Sequence, residues 1–218
     1  YKAVFLKTLA FARQLAETKV ANEGMQKLRY YTALTLLRGV MSAPRTGAAM
    51  LMRRAAKSRV EVPDEAIAAT REQTLETQLG AEDDTTPTDI AAAVQLDDSG
   101  QKVLQALAEQ LKTLEGLKSD RKAAGLARWL EARLEEGVST IVFCRFVDTA
   151  KYLGEVVGPV LEKKFGKKDF AMATITSGLP DDERKEVILS LSDFKHRVVF
   201  ATDCMSEGIN LQEHFSAV

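Results

Sequence analysis

The segment from Val198 to Gln212, VVFATDCMSEGINLQ, changes from apolar to polar residues within a single step. A polar side chain beside a rigid, buried strand costs about 1 to 3 kcal/mol when no partner satisfies it. Either these side chains cap a following helix, or a ligand completes their hydrogen bonds. The polar residues, which are spaced around Gly208, are Thr202, Asp203, Ser206, Glu207, Asn210 and Gln212.

A phosphate group is the kind of ligand that such a segment would suit. A hydroxyl and backbone N–H groups at a turn before a short helix donate hydrogen bonds, and the helix dipole favours an anion there. Gly208 permits a close approach that a β-carbon would obstruct. Arg145 and Arg184 would add charge that makes binding to a nucleic-acid backbone strong and salt-dependent. For Asp203 and Ser206 taken singly, helix capping is the simpler interpretation.

The elements that must position this segment alternate in type along the second half of the chain. The predicted strands are STIVFCRF, AMATITS and RVVFAT, separated by the helical segments VDTAKYLGEVVGPVLEKKF and DDERKEVILSLSDF. Strands that are apolar at nearly every position suit a parallel sheet covered on both faces. Ligands of such sheets bind beyond the carboxyl ends of the strands. We therefore predict a doubly wound α/β sheet with the polar segment at its ligand-binding edge.

Three segments of this half resemble, in order, the conserved blocks of the second RecA-like lobe of superfamily 2 helicases. They are IVFCRFVDTAKYL, ITSGLPDDERKEVILSL and VVFATDCMSEGINLQ, and the ending SEGINLQ is most similar to the Swi/Snf-type translocases of double-stranded DNA. The resemblance covers residues 119–218 and reaches the first half only loosely, through LLRGVMSAP. It implies a RecA-like lobe at 119–218, truncated at its C-terminal end, after an all-α region at 1–118.

The resemblance implies two sets of contact residues. Nucleic-acid contacts carry over onto Phe143, Cys144, Arg145, Ser177, Gly178, Arg184, Thr202 and Asp203. Contacts to ATP across the cleft between two lobes carry over onto Glu207, Gly208, Asn210 and Gln212.

Some of these roles have competing interpretations. DEAD-box RNA helicases carry an aspartate that reaches the ribose where this chain has Asn210, so the role of Asn210 stays open. Phe143 and Cys144 would also fit a hydrophobic core, and Arg184 would fit a solvated, ion-paired helix face.

No catalytic or metal-binding residue is predicted in the chain. The nearest stretch to a phosphate-binding Walker loop, FGKKD, lacks the first glycine and the hydroxyl. The acidic stretch DEAI at 64–67 opens a helix, whereas the metal-binding acidic box of the family follows a strand. The family's arginine finger would lie beyond Val218. We therefore expect no ATPase activity from this chain alone, and binding of ATP with Mg²⁺ only together with a missing N-terminal RecA-like lobe.

The first half shows helical periodicity and no convincing strand. One face of the first helix is predicted from Val4, Leu6, Leu9, Phe11 and Leu15, and Pro44 should end the second helix. A further helix at 62–80 and a flexible acidic loop at 81–89 are expected. A basic cluster would either contact DNA phosphates or form a solvated face paired with acidic residues: Arg45, Arg53, Arg54, Lys57 and Arg59.

Composition limits the partners and the location. The net charge of −1 excludes binding of polyanions through overall charge alone, and the two cysteines read as buried apolar residues of a reducing compartment. No membrane partner is expected, because no apolar run approaches the length of a membrane span. We predict a cytoplasmic protein that binds double-stranded DNA, with the nucleoid and the nucleus as alternatives. A non-catalytic α/β module that binds protein or nucleic acid is the rival function.

The two ends of the sequence suggest an excised fragment. The chain begins with Tyr1, and its last residues, FSAV, look like the opening of another strand.

Overall fold

The structure is a computed structural model that describes residues 1–18, 23–56, 96–202, 211 and 214–218. The chain splits into two compact units, and the division falls between Glu115 and Gly116. The predicted helix at 62–80, the acidic loop at 81–89, Lys57 and Arg59 lie outside the described residues. Among the helices that are described, none is long and apolar enough to span a membrane.

The described part of the first unit is helical, as its periodicity predicts. Pro44 ends the second helix and begins the third, because proline has no N–H for the preceding turn but suits a first helical position. Asp97 caps the fourth helix, where its Oδ1 accepts a hydrogen bond from the Gly100 N–H at 2.8 Å. The helices are α1 (Lys2–Glu17), α2 (Glu23–Ser42), α3 (Pro44–Ala56) and α4 (Asp98–Lys112).

The buried face of α1 differs from the predicted one. Leu6 is 49% exposed, whereas Thr8 and Ala12 are buried together with Val4 and Leu15. Positions 4, 8, 12 and 15 follow the helical period, and Leu6 lies almost opposite Val4 on the helix. The Thr8 hydroxyl is satisfied by donating to the Val4 carbonyl oxygen at 3.0 Å, so a polar residue is accommodated in the buried stripe.

The described members of the predicted basic cluster do not form one surface. The Arg45 guanidinium forms an ion pair with Glu115 at 2.9 Å. Arg54 is fully buried, and among the residues that the structure describes none of its three guanidinium nitrogens has a hydrogen-bond partner. It lies on the same buried stripe of α3 as Gly47 and Leu51, seven and three residues earlier. Both predicted roles, DNA contact and solvated face, are therefore wrong for Arg54.

The second unit contains a parallel three-stranded sheet. The strand order is β1-β3-β2, with each neighbouring pair parallel. Ala217 forms a further parallel bridge to Thr140, as the strand-like end of the sequence suggested. The elements are α5 (Arg121–Glu135), β1 (Thr140–Phe143), α6 (Val147–Phe165), β2 (Phe170–Ile175), α7 (Asp181–Leu191) and β3 (His196–Ala201).

Both faces of this sheet are covered. Val198 and Phe200 of β3 pack in a core with α5 and α6, whereas Val199 and Ala201 pack on the opposite face with α7 and Phe215. Burial of Val198 and Phe200 stabilises the fold by about 1.5 to 3 kcal/mol each. The two-sided burial explains why the central strand is apolar at consecutive positions, as predicted.

Polar contacts fix the start of α5 to α6. Asp120 caps α5 by accepting from the Lys122 and Ala123 N–H groups. Its other carboxylate oxygen accepts from the Tyr152 hydroxyl of α6 at 3.1 Å, and that hydroxyl accepts from the Gly116 N–H at 2.9 Å. Tyr152 is completely buried, so this network is shielded from water.

Candidate functional site

The carboxyl ends of the three strands meet at one edge of the sheet. Ala201 of the central strand pairs with Phe143 of β1 and with Ile175 of β2. The pairing continues past the strands, because the Cys144 N–H donates to the Ala201 carbonyl oxygen at 2.7 Å and the Thr202 N–H to that of Ile175 at 3.1 Å. Neighbouring strands lie about 4.8 Å apart, so the three predicted blocks converge within roughly 10 Å.

The side chains at the end of β1 and directly after it point in different directions. Phe143 is 38% exposed, whereas Cys144 is 4% exposed and belongs to the core on the α5–α6 face of the sheet. Side chains alternate between the faces of a strand, which separates these neighbours. Arg145 is exposed, and its guanidinium carbon lies 5.9 Å from the centre of the Phe146 ring. Phe143 and Arg145 can therefore touch a ligand with their side chains, while the Cys144 thiol cannot.

The residues after β2 form a turn whose backbone is hydrogen-bonded by Arg184 of α7. Gly178 is exposed and Ser177 is half-buried in the turn between β2 and α7. The Arg184 guanidinium donates to the Ser177 carbonyl oxygen at 3.1 Å and pairs with Asp181 at 2.7 Å. Only 13% of the Arg184 side chain is exposed, so it does not lie on a solvated helix face. The geometry makes Arg184 a residue that positions the Ser177–Gly178 turn.

The third block is described only at its start. Thr202 is 7% exposed, and its backbone is anchored to β2. The other residues predicted in this block lie outside the described part of the chain, and their roles stay predictions: Asp203, Glu207, Gly208, Asn210 and Gln212.

Charge at this edge is mixed. The first turn of α7 carries three carboxylates, from Asp181, Asp182 and Glu183, and the first turn of α6 carries Asp148. These groups complement the positive ends of their own helices and so oppose an incoming phosphate there. Among the described residues of the edge, the positive charge that faces solvent comes from Arg145.

Two neighbouring residues of the edge were not predicted from the sequence. Phe146 contacts the Arg145 guanidinium and caps α6 with its backbone. Thr176 is 8% exposed, and its carbonyl oxygen accepts from the Leu179 N–H at 3.1 Å in the turn after β2. The sequence signals that could have identified them are an aromatic residue directly after Arg145 and a hydroxyl residue directly before Ser177.

Another concave surface of the second unit lies away from these residues. A groove of about 430 Å³ runs between α6 and the edge strand β2, and none of the predicted site residues lines it. Gly154 and Gly158 of α6 face Thr174 and Met172 of β2 there. In the described part of the chain, no group of histidine, cysteine and acidic residues could hold a metal ion.

Comparison with known proteins gives one family. Residues 121–214 match the family of the helicase conserved C-terminal domain. No curated protein and no solved structure matches the chain. The matched range includes all three strands and every predicted site residue, and a parallel sheet with flanking helices is compatible with an α/β RecA-like lobe. This part of the chain is therefore similar to the C-terminal lobe of superfamily 2 helicases, whose domains generally bind nucleic acid.

Proposed function

We propose that the second unit is the C-terminal motor lobe of an ATP-dependent DNA translocase or helicase of the Swi/Snf type. The observation that supports this most is the meeting of three sequence blocks at one sheet edge. The blocks end at Phe143, Ile175 and Ala201, which are paired directly across the sheet. This edge is where open parallel sheets bind their ligands.

Each described residue of the edge has a distinct part in the proposed contact with a nucleic-acid backbone. The exposed Arg145 supplies charge to a phosphate, and Phe143 offers an apolar surface beside it. The exposed backbone at Gly178 lets a phosphate approach closely, while Arg184 holds the turn in place. Cys144 has a positioning part, because its thiol is buried and its backbone N–H holds the end of β1 to Ala201 of the central strand.

Directional movement would require a second lobe. In this proposal ATP with Mg²⁺ binds between an N-terminal RecA-like lobe of the same protein and the block that contains Glu207, Gly208, Asn210 and Gln212. Closure and reopening of the cleft would move the backbone contacts along one strand of double-stranded DNA. Thr202 would couple the DNA contact to the nucleotide cleft, since it directly follows the central strand and precedes the nucleotide-facing block.

Binding of DNA by the 218-residue chain tests the proposal. We expect a dye-labelled duplex to show saturable binding by fluorescence anisotropy at low salt, with affinity falling between about 50 and 200 mM salt. Arg145→Ala should weaken binding and lower the slope of log affinity against log salt by about 1. Lys163→Ala, an exposed position in the last turn of α6, is the matched control.

Two results would contradict this assignment. Absence of salt-dependent binding to any nucleic acid would favour the rival module that binds protein. Equal losses in Arg145→Ala and Lys163→Ala would show that charge in general, and not the strand edge, attracts the DNA.

A further inference from the structure

The outward face of α5 carries the chain's single tryptophan. Trp129 is 45% exposed, although an indole is among the side chains that gain most from burial. The opposite side of the helix holds α5 in place, because Ala123, Ala127, Leu130 and Leu134 are buried. Trp129 is therefore not needed to anchor the helix, and its ring is presented to solvent.

The surface beside the indole is formed by small residues and is open to solvent. Gly125 and Ala132 lie four residues before and three residues after Trp129, which makes them its neighbours on the helix. A β-carbon added at Gly125 would have nothing within 4 Å, and Ala132 is exposed. A flat ligand can therefore approach the indole along this side without meeting a large side chain.

Arginines border this open surface. Arg121, Gly125, Arg128 and Ala132 follow one another at spacings of four, three and four residues, so they share one stripe of α5. Arg121 and Arg128 are exposed, and their seven-residue separation corresponds to about 10.5 Å along the axis. Neither forms an ion pair within the described ranges.

The carboxylates of the same helix are already paired. Glu131 and Glu135 both contact the Lys164 ammonium of α6, and these hydrogen bonds raise the pKa of Lys164. Just beyond the helix, Glu136 pairs with Arg133 at 2.6 Å. On the stripe that borders Trp129, the charged side chains are therefore the guanidiniums of Arg121 and Arg128.

We propose that this face of α5, defined by Arg121, Gly125, Arg128, Trp129 and Ala132, binds a single strand of nucleic acid. A base would stack on the indole, and phosphates would pair with the two guanidiniums. Unpaired strands expose the base faces that an aromatic platform needs, whereas a duplex hides them. The inference rests on the proposed function for the kind of ligand, but its residues are separate from the strand edge.

Trp129 is also the reporter for the test, because no other tryptophan contributes to the emission. Titration of the 218-residue chain with a single-stranded oligothymidylate should quench this emission to saturation. Anisotropy of the labelled oligomer should show affinity reduced on the order of ten-fold in Trp129→Ala. Arg121→Glu and Arg128→Glu should each weaken binding and reduce the salt dependence.

Matched controls separate this face from general charge or apolar effects. Lys163→Glu reverses a charge on an exposed position of α6, and Leu189→Ala removes the side chain of a 60% exposed residue of α7. Both should retain the wild-type affinity for the oligothymidylate. Circular dichroism should show native helicity in all variants, since every altered side chain is exposed.

The outcomes distinguish this inference from the proposed function. Oligothymidylate binding that Arg145→Ala weakens, but that leaves the Trp129 emission unchanged, overturns the role of α5 and leaves the strand edge intact. Saturable quenching with no effect of Arg145→Ala supports α5, and the strand edge is then judged by the duplex titration, where Arg145→Ala should still weaken binding. Quenching by polyglutamate but not by the oligothymidylate would show that an acidic peptide docks here, and it would overturn the inference.

Discussion

Replacing Arg54 by methionine should stabilise the first unit. Burial first, and the nearby positive charge of Arg29 second, lower the pKa of Arg54 to about 10. The side chain is fully buried and still protonated at pH 7, so the folded state carries a charge without a hydrogen-bond partner in the described part of the chain. Methionine has a similarly long, unbranched side chain and can fill the space without charge.

The magnitude follows from the difference between the two pKa values. The pKa of Arg54, about 10, lies well below that of an ordinary arginine, and each pKa unit of this difference corresponds to 1.36 kcal/mol, so the buried charge costs about 3 kcal/mol at pH 7. Arg54→Met should raise the free energy of unfolding by up to that amount, reduced by imperfect packing of the new side chain.

The sign of the pH dependence is also determined. The folded pKa lies below the unfolded one, so the cost is fully present below about pH 10 and falls as the pH rises between the two values. From pH 7 to pH 11 the wild-type chain should gain about 1 kcal/mol of stability relative to Arg54→Met. Comparison of the two proteins at each pH cancels the titration of their shared lysines and tyrosines.

Urea unfolding followed by circular dichroism at 222 nm measures this effect. The emission of Trp129, which lies in the second unit, provides a separate signal that should change little. Arg13→Met, at an exposed position of α1, is the matched control and should alter stability by less than about 0.5 kcal/mol. A loss of stability in Arg54→Met, or a gain that is independent of pH up to 11, would show that the buried charge of Arg54 does not destabilise the first unit.

Two further predictions concern packing and buried hydrogen bonds. Tyr152→Phe removes the hydroxyl that Gly116 and Asp120 share, and it should lower the stability of the second unit by about 1 to 2 kcal/mol. Thermal unfolding followed by Trp129 emission measures this loss. An unchanged midpoint of unfolding would mean that water replaces the hydroxyl. Gly47→Ala should lower the free energy of unfolding of the first unit by about 1 to 3 kcal/mol, because the new β-carbon would lie 2.8 Å from the Val40 Cα. Unfolding followed by circular dichroism measures this loss. Wild-type stability of the variant would show that α2 and α3 can separate freely.

The α/β class of the second unit could be predicted from the sequence alone. Consecutive apolar residues such as Val198, Val199 and Phe200 have no polar face to turn to water, so they require a sheet covered on both sides. In the first unit, Pro44 predicted the end of a helix for a local reason, namely its missing N–H. The order of the three blocks predicted which residues belong to the candidate site.

Which of those side chains can reach a ligand depends on how the strands and helices pack. Cys144 and Phe143 are neighbours in the sequence, but the pleat of β1 buries one and exposes the other. Arg184 and Arg54 both carry a charge that favours the surface, yet one is folded against the Ser177 turn and the other lies on a buried helical stripe. A residue's charge expresses a preference for water, whereas its position on a packed element determines whether water is there.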